Sequence, residues 1–134
     1  MAKIVKSIYS GLAVTSLGEL TSTDNIDGVL APTITTLTDG ATITPDFATS
    51  CNFTVTLGGN RALANPSNPV AGQSGSICIA QDATGSRTLT WGTSWEFPAG
   101  TAPTLTTTAS AVDRVDYIVR SSTSIQAVFT GNYS

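Results

Sequence analysis

Two aspartates flank an arginine at Asp113, Arg114 and Asp116, and no histidine occurs anywhere in the 134 residues. Carboxylates so close can share acid–base work or gather oxygen ligands around Ca²⁺. The plainer assignment is a turn cap and a surface ion pair with Arg114 or Arg120, and it is the one expected. Asp82 and Glu96 would make a glycosidase pair only at a set separation, which nothing in the sequence fixes. Without histidine there is no Ser-His-Asp triad, no Cys-His pair and no histidine metal site. Cys51 and Cys78 each fall in a predicted strand and read as small buried hydrophobes, with a disulfide left open. The glycines of Gly58-Gly59 and Gly72-Gln73-Ser74-Gly75 lack the Lys-Ser/Thr and the helix of a phosphate loop. No catalytic, cofactor or metal residue is assigned, and no enzyme is expected.

Trp91 and Trp95 lie four residues apart across Gly92. Paired aromatics can stack on a sugar, but large aromatics also dominate core burial. Trp91 is expected in the core, and Trp95 is open between the core and a sugar platform.

The elements that must hold these residues are strands. Residues 72–92 organise the chain: 76–80 and 87–91 read as two strands reversed by Asp82-Ala83-Thr84-Gly85-Ser86, bracketed by Gly75 and Gly92. That is a hairpin signal, since Asp caps the turn and Gly supplies a positive φ. Asp39-Gly40 between residues 32–38 and 41–44 suits a second hairpin, with Pro45 ending it or marking an edge. Residues 51–57 alternate, with Cys51, Phe53, Val55 and Leu57 on one face and Asn52, Thr54 and Thr56 on the other. A short strand follows at 61–64, then the loop 65–69. Further on come 93–97, a turn at Pro98-Ala99-Gly100, a strand at 103–108 and a helical turn at 109–113. The last hairpin joins 115–120 to 124–130, setting Val115, Tyr117 and Val119 against Ile125, Ala127 and Phe129. Turn signals every 8–12 residues and no helical period predict an all-β fold, an antiparallel β-sandwich or jelly-roll-like domain.

Residues 1–30 differ. They hold both lysines, Lys3 and Lys6, and end in the polar, turn-rich stretch 21–28. They read as a short N-terminal arm ahead of a domain at 31–134. Lys3, Ile4, Lys6, Ile8 and Tyr9 are the arm's candidate contacts with a neighbouring subunit or partner; an edge strand of the chain's own domain is the alternative. The start is not expected to be a signal peptide, and no apolar run is long enough to span a membrane. Charged residues make up 11% and the net charge is −3, so no basic surface for nucleic acid is expected. The sequence holds 23 Thr and 15 Ser, which suit exposed strands that stay soluble without charge. With few charges to guard its edges, such a surface favours self-association.

A spaced series of motifs resembles a module of tailed-phage virion proteins, of the tail-fibre, tail-tip, head-decoration and head-fibre kinds. The series runs through residues 53–57, Asn65-Pro66, residues 72–75, residues 81–91, residues 97–100 and Ala111-Val112-Asp113, and covers roughly residues 33–130. Gly18-Glu19-Leu20 with Asp27-Gly28 faintly resembles the start of phage fibre proteins. The resemblance implies a non-enzymatic component on the virion exterior, made in the host cytoplasm. In it Gln81, Asp82, Gly85 and Arg87 would shape the hairpin. The size of the chain points first to a capsid decoration or cement protein, a homotrimer gripping the major capsid protein or another virion protein. The alternative is a receptor-binding domain at a fibre or tail tip, with Trp95, Asn65 and Asn68 touching host-surface glycan.

Overall fold

The structure, a computed structural model, describes residues 32–133. The expected arm at 1–30, with Lys3, Ile4, Lys6, Ile8 and Tyr9, lies outside the described residues. Among the described residues nine strands run in order: β1 (Ile34–Thr36), β2 (Thr42–Ile43), β3 (Asn52–Leu57), β4 (Arg61–Leu63), β5 (Ser74–Gln81), β6 (Leu89–Trp91), β7 (Trp95–Glu96), β8 (Val112–Ser121) and β9 (Ser124–Tyr133). They form a six-stranded sheet in the order β1-β3-β5-β8-β9-β7 and a three-stranded sheet in the order β2-β4-β6.

The all-β expectation holds, but the pairing is mixed: β5–β8 and β8–β9 are antiparallel and the rest is parallel. β1, β3 and β5 pair in parallel in the larger sheet, and β2, β4 and β6 pair in parallel in the smaller. The chain therefore changes sheet at every strand and completes three circuits before its antiparallel end. Parallel neighbours need a long crossover, usually a helix. Here the crossover is a strand of the opposite sheet with a turn on either side.

The two early hairpins are corrected by this winding. β5 pairs with β3 and β8, while β6 pairs with β4, so residues 72–92 are a crossing between sheets. The Asp39-Gly40 turn likewise carries β1 into β2 on the other sheet. The final hairpin forms as expected, with Val115 opposite Phe129, Tyr117 opposite Ala127 and Val119 opposite Ile125. Residues 103–108 form no strand, and the expected helical turn is a reversal at Ser110 (φ 61°) from which β8 starts. Cys51 precedes β3 on the side of Phe53, and Cys78 lies in β5 on the side of Ser76 and Ala80, so the two thiols are free.

The core follows the two-residue alternation of each strand. Phe53, Val55 and Leu57 of β3 meet Ile77 and Ile79 of β5, Val115, Tyr117 and Val119 of β8, and Ile125 and Ala127 of β9. Ile43 and Leu63 cover them from the smaller sheet. An aromatic cluster fills one region. Phe47 stacks on Tyr117 at 4.7 Å and on Phe53 at 5.8 Å. Trp95 meets Phe47 edge-on at 6.3 Å and Tyr117 at 6.0 Å. Burial pushes the Tyr117 hydroxyl well above its ordinary pKa, and it donates to the Cys51 carbonyl at 2.7 Å.

Candidate functional site

The structure gathers Gln81, Asp82, Gly85 and Arg87 in the turn from β5 to β6. Asp82 accepts from the backbone of Thr84 and Gly85 at 3.0 and 2.9 Å and holds the Arg87 guanidinium at 2.7 Å. The Gln81 amide accepts from the Arg87 N–H at 2.8 Å and donates to its carbonyl at 3.0 Å. A side chain thus stands in for the strand partner that Arg87 lacks. Gly85 has φ 72°, and a Cβ there would meet the Thr107 carbonyl oxygen at 2.6 Å. The four residues lock a sheet-to-sheet crossing rather than a hairpin. One circuit earlier, Arg61 grips Asp39 through two bonds of 2.8 and 2.7 Å.

Hydrogen bonds from Arg87 and Arg61 hold the Asp82 and Asp39 carboxyls below their ordinary range. A depressed folded pKa gives stability that is complete above the unfolded value near 4 and is lost as pH falls through the folded value. Asp82→Asn should therefore melt lower than wild type at pH 6, with the gap narrowing toward pH 2. Melting curves across that range check the sign.

Asp113 and Asp116 part company, which corrects the exposed-turn expectation for Asp113. Asp113 lies in β8 on the side of Val115 and Tyr117 and is 1% exposed. Its carboxylate accepts from the Thr106 N–H at 2.7 Å and the Asn132 N–H at 2.9 Å, tying the irregular segment before β8 to the end of β9. Asparagine offers one acceptor oxygen to these two donors. Asp113→Asn should cost about 3 kcal/mol and lower Tm by roughly 10 °C in thermal melts. Asp116 faces outward and accepts from Ser76 Oγ at 2.6 Å and Arg114 Nε at 3.0 Å. Asp82 is committed to Arg87, and Glu96 sits 3.7 Å from Arg120. Among the described residues no three His, Cys, Asp or Glu side chains come together as metal ligands would.

The sugar platform is corrected as well. Trp95 is 6% exposed, and its indole Nε1 donates to the Ala64 carbonyl at 3.1 Å. Its ring packs against Phe47, Tyr117 and Trp91 and has no face for a ligand. Trp91 is half-buried against this cluster. Asn65 accepts from the Ser94 N–H at 2.8 Å and donates to Thr93 at 3.2 Å, holding the β6–β7 turn. Asn68 adopts φ 54° and donates to Asp46 at 2.8 Å. The Asn65 amide is engaged through both its oxygen and its nitrogen, and Asn68 gives an N–H to its own loop.

The outer face of the larger sheet offers a better surface. A groove of about 580 Å³ runs over β7, β8 and β9, lined by Glu96, Pro98, Asp116, Ile118, Gln126 and Val128. Pairing sets Ile118 beside Gln126 and Gln126 beside Glu96, with Asp116 beside Val128 in the neighbouring row. Ile118 is 46% exposed and Val128 56%. Gln126 is exposed between them. Sequence reasoning missed this groove, although a signal was present. Ile118 and Val128 are exposed apolar residues at outward positions flanked along their strands by the polar or charged Asp116, Arg120, Gln126 and Thr130.

A shallow polar-and-apolar groove on a wound β-domain suits a protein that works by contact. Residues 43–124 match a family described as "Putative phage tail fibre C-terminal domain". The match spans more than half of the chain, and the chain belongs to that family. It is thus a phage virion component, as the motif series implied. The family supports the tail-fibre side of the resemblance and not the head-decoration or head-fibre side. No curated protein matches the chain, and no solved structure does.

Proposed function

We propose that this chain is a non-enzymatic tail-fibre domain that holds the phage to the surface of its host. The match of residues 43–124 to a tail-fibre family carries the proposal. The geometry agrees with it: Asp39, Asp82 and Asp113 are spent on structural ties, and the outer groove is open to solvent. The domain self-associates as a homotrimer, consistent with its low charge and its Ser- and Thr-rich surface. The capsid-decoration alternative has no comparable support. Copy number in purified particles, measured by mass spectrometry against the major capsid protein, separates the two. A few dozen copies or fewer are expected. Hundreds would place the protein on the shell and overturn the proposal.

A further inference from the structure

We propose that the groove over β7, β8 and β9 is a saccharide site that takes an uncharged pyranose of a cell-surface glycan. The inference rests on the host-adhesion reading and gives it a place and a ligand class. On the floor Ile118 and Val128 lie on one diagonal, with Gln126 and Asp116 at the other two corners and Glu96 beyond Gln126. Neighbouring strands lie about 4.8 Å apart, so these groups sit at the spacing of a single sugar ring. A pyranose has an apolar C–H face and a rim of hydroxyls. The C–H face would rest on Ile118 and Val128. The hydroxyls would donate to Asp116 and Glu96, and the Gln126 amide can both donate and accept.

Asp116 is held in advance. Ser76 fixes one carboxylate oxygen at 2.6 Å and Arg114 the other at 3.0 Å, so little order is lost on binding. The charges argue for an uncharged ligand. Asp116 is balanced by Arg114, and Glu96 has Arg120 at 3.7 Å, so no net field selects a cation or an anion. The exposed apolar side chains on this floor are Ile118 and Val128 alone, too few for the apolar core of a stable protein interface.

The test is a methyl-resolved NMR titration of the full chain with methyl glycosides of glucose, galactose, mannose, rhamnose and N-acetylglucosamine, run beside a binding assay on host cells. At least one glycoside should move the Ile118 and Val128 methyls and the Gln126 side-chain amide in a saturable way. The exposed Ile34 and Val70 methyls, which lie elsewhere, should stay still. Gln126→Ala should weaken that binding at least tenfold and lower cell binding with it. If no glycoside moves the groove while the wild-type chain binds cells, the groove assignment falls and adhesion stands. Gln126→Ala binding cells as wild type does, or Ile34 and Val70 responding instead, also overturns it. A chain that binds neither sugar nor cells loses both proposals.

Discussion

Gly75→Ala will destabilise the fold severely, lowering its cooperative melt or abolishing it. Gly75 sits near the start of β5, where the chain preceding β3 crosses close beside it. A Cβ there would stand 1.8 Å from the Cys51 carbonyl oxygen, 2.6 Å from its carbon and 2.9 Å from the Tyr117 hydroxyl. Neither neighbour can give way cheaply. The same carbonyl accepts from the Ser76 N–H at 3.2 Å and from Tyr117 Oη at 2.7 Å. Moving it would break the join between β3, β5 and β8 at the edge of the aromatic cluster. Ordinary overpacking costs about 1–3 kcal/mol, and a clash with fixed backbone belongs at or above the top of that range. Thermal circular dichroism should show no sharp transition, or one lowered by more than about 10 °C. A melting curve within a few degrees of wild type would mean that this approach is misplaced.

Trp95→Ala should cost about 3–5 kcal/mol, the range for removing a buried aromatic. The substitution empties the space between Phe47, Tyr117 and Trp91 and leaves the Ala64 carbonyl without its indole donor. The melting temperature should fall by at least 10 °C. Trp95→Phe should recover part of that loss, because it keeps much of the volume but not the hydrogen bond. Host binding by the Phe variant, measured well below its melting point, should match wild type. A Trp95→Ala chain that melts normally yet no longer binds cells would restore Trp95 as a ligand platform.

The sequence showed most clearly what is local. The alternation of residues 51–57 placed Phe53, Val55 and Leu57 inward, and all three are buried. The β8–β9 hairpin was legible to the residue pair, because two alternating runs joined by a short polar turn leave one register that buries both faces. Partner choice among β1 to β6 was not legible. Asp39-Gly40 and residues 82–86 carry the chemistry of a tight reversal, and a tight reversal serves equally to fold a hairpin or to hop between stacked sheets. A repeat would have exposed the winding, but the circuits differ in length: Ile34 lies opposite Asn52, and Asn52 opposite the more distant Ser76. Buried Asp113 was legible in principle, since it shares the parity of Val115, Tyr117 and Val119. Its charge argued for the surface, and the two backbone donors that make its burial tolerable lie 7 and 19 residues away, one of them on a segment that forms no strand. Trp95 was undecidable for a similar reason, because its neighbour Phe47 and its acceptor Ala64 come from other circuits.

The most direct test of host adhesion is phage adsorption in the presence of the purified full chain. Host cells are first exposed to increasing concentrations of the protein, and the adsorption rate of the phage that carries it is then measured. The account predicts a rate that falls to a plateau as the protein saturates the cells, while Gln126→Ala needs at least tenfold more protein for the same effect. An unchanged rate at every concentration, with labelled protein washing off the cells, would contradict it.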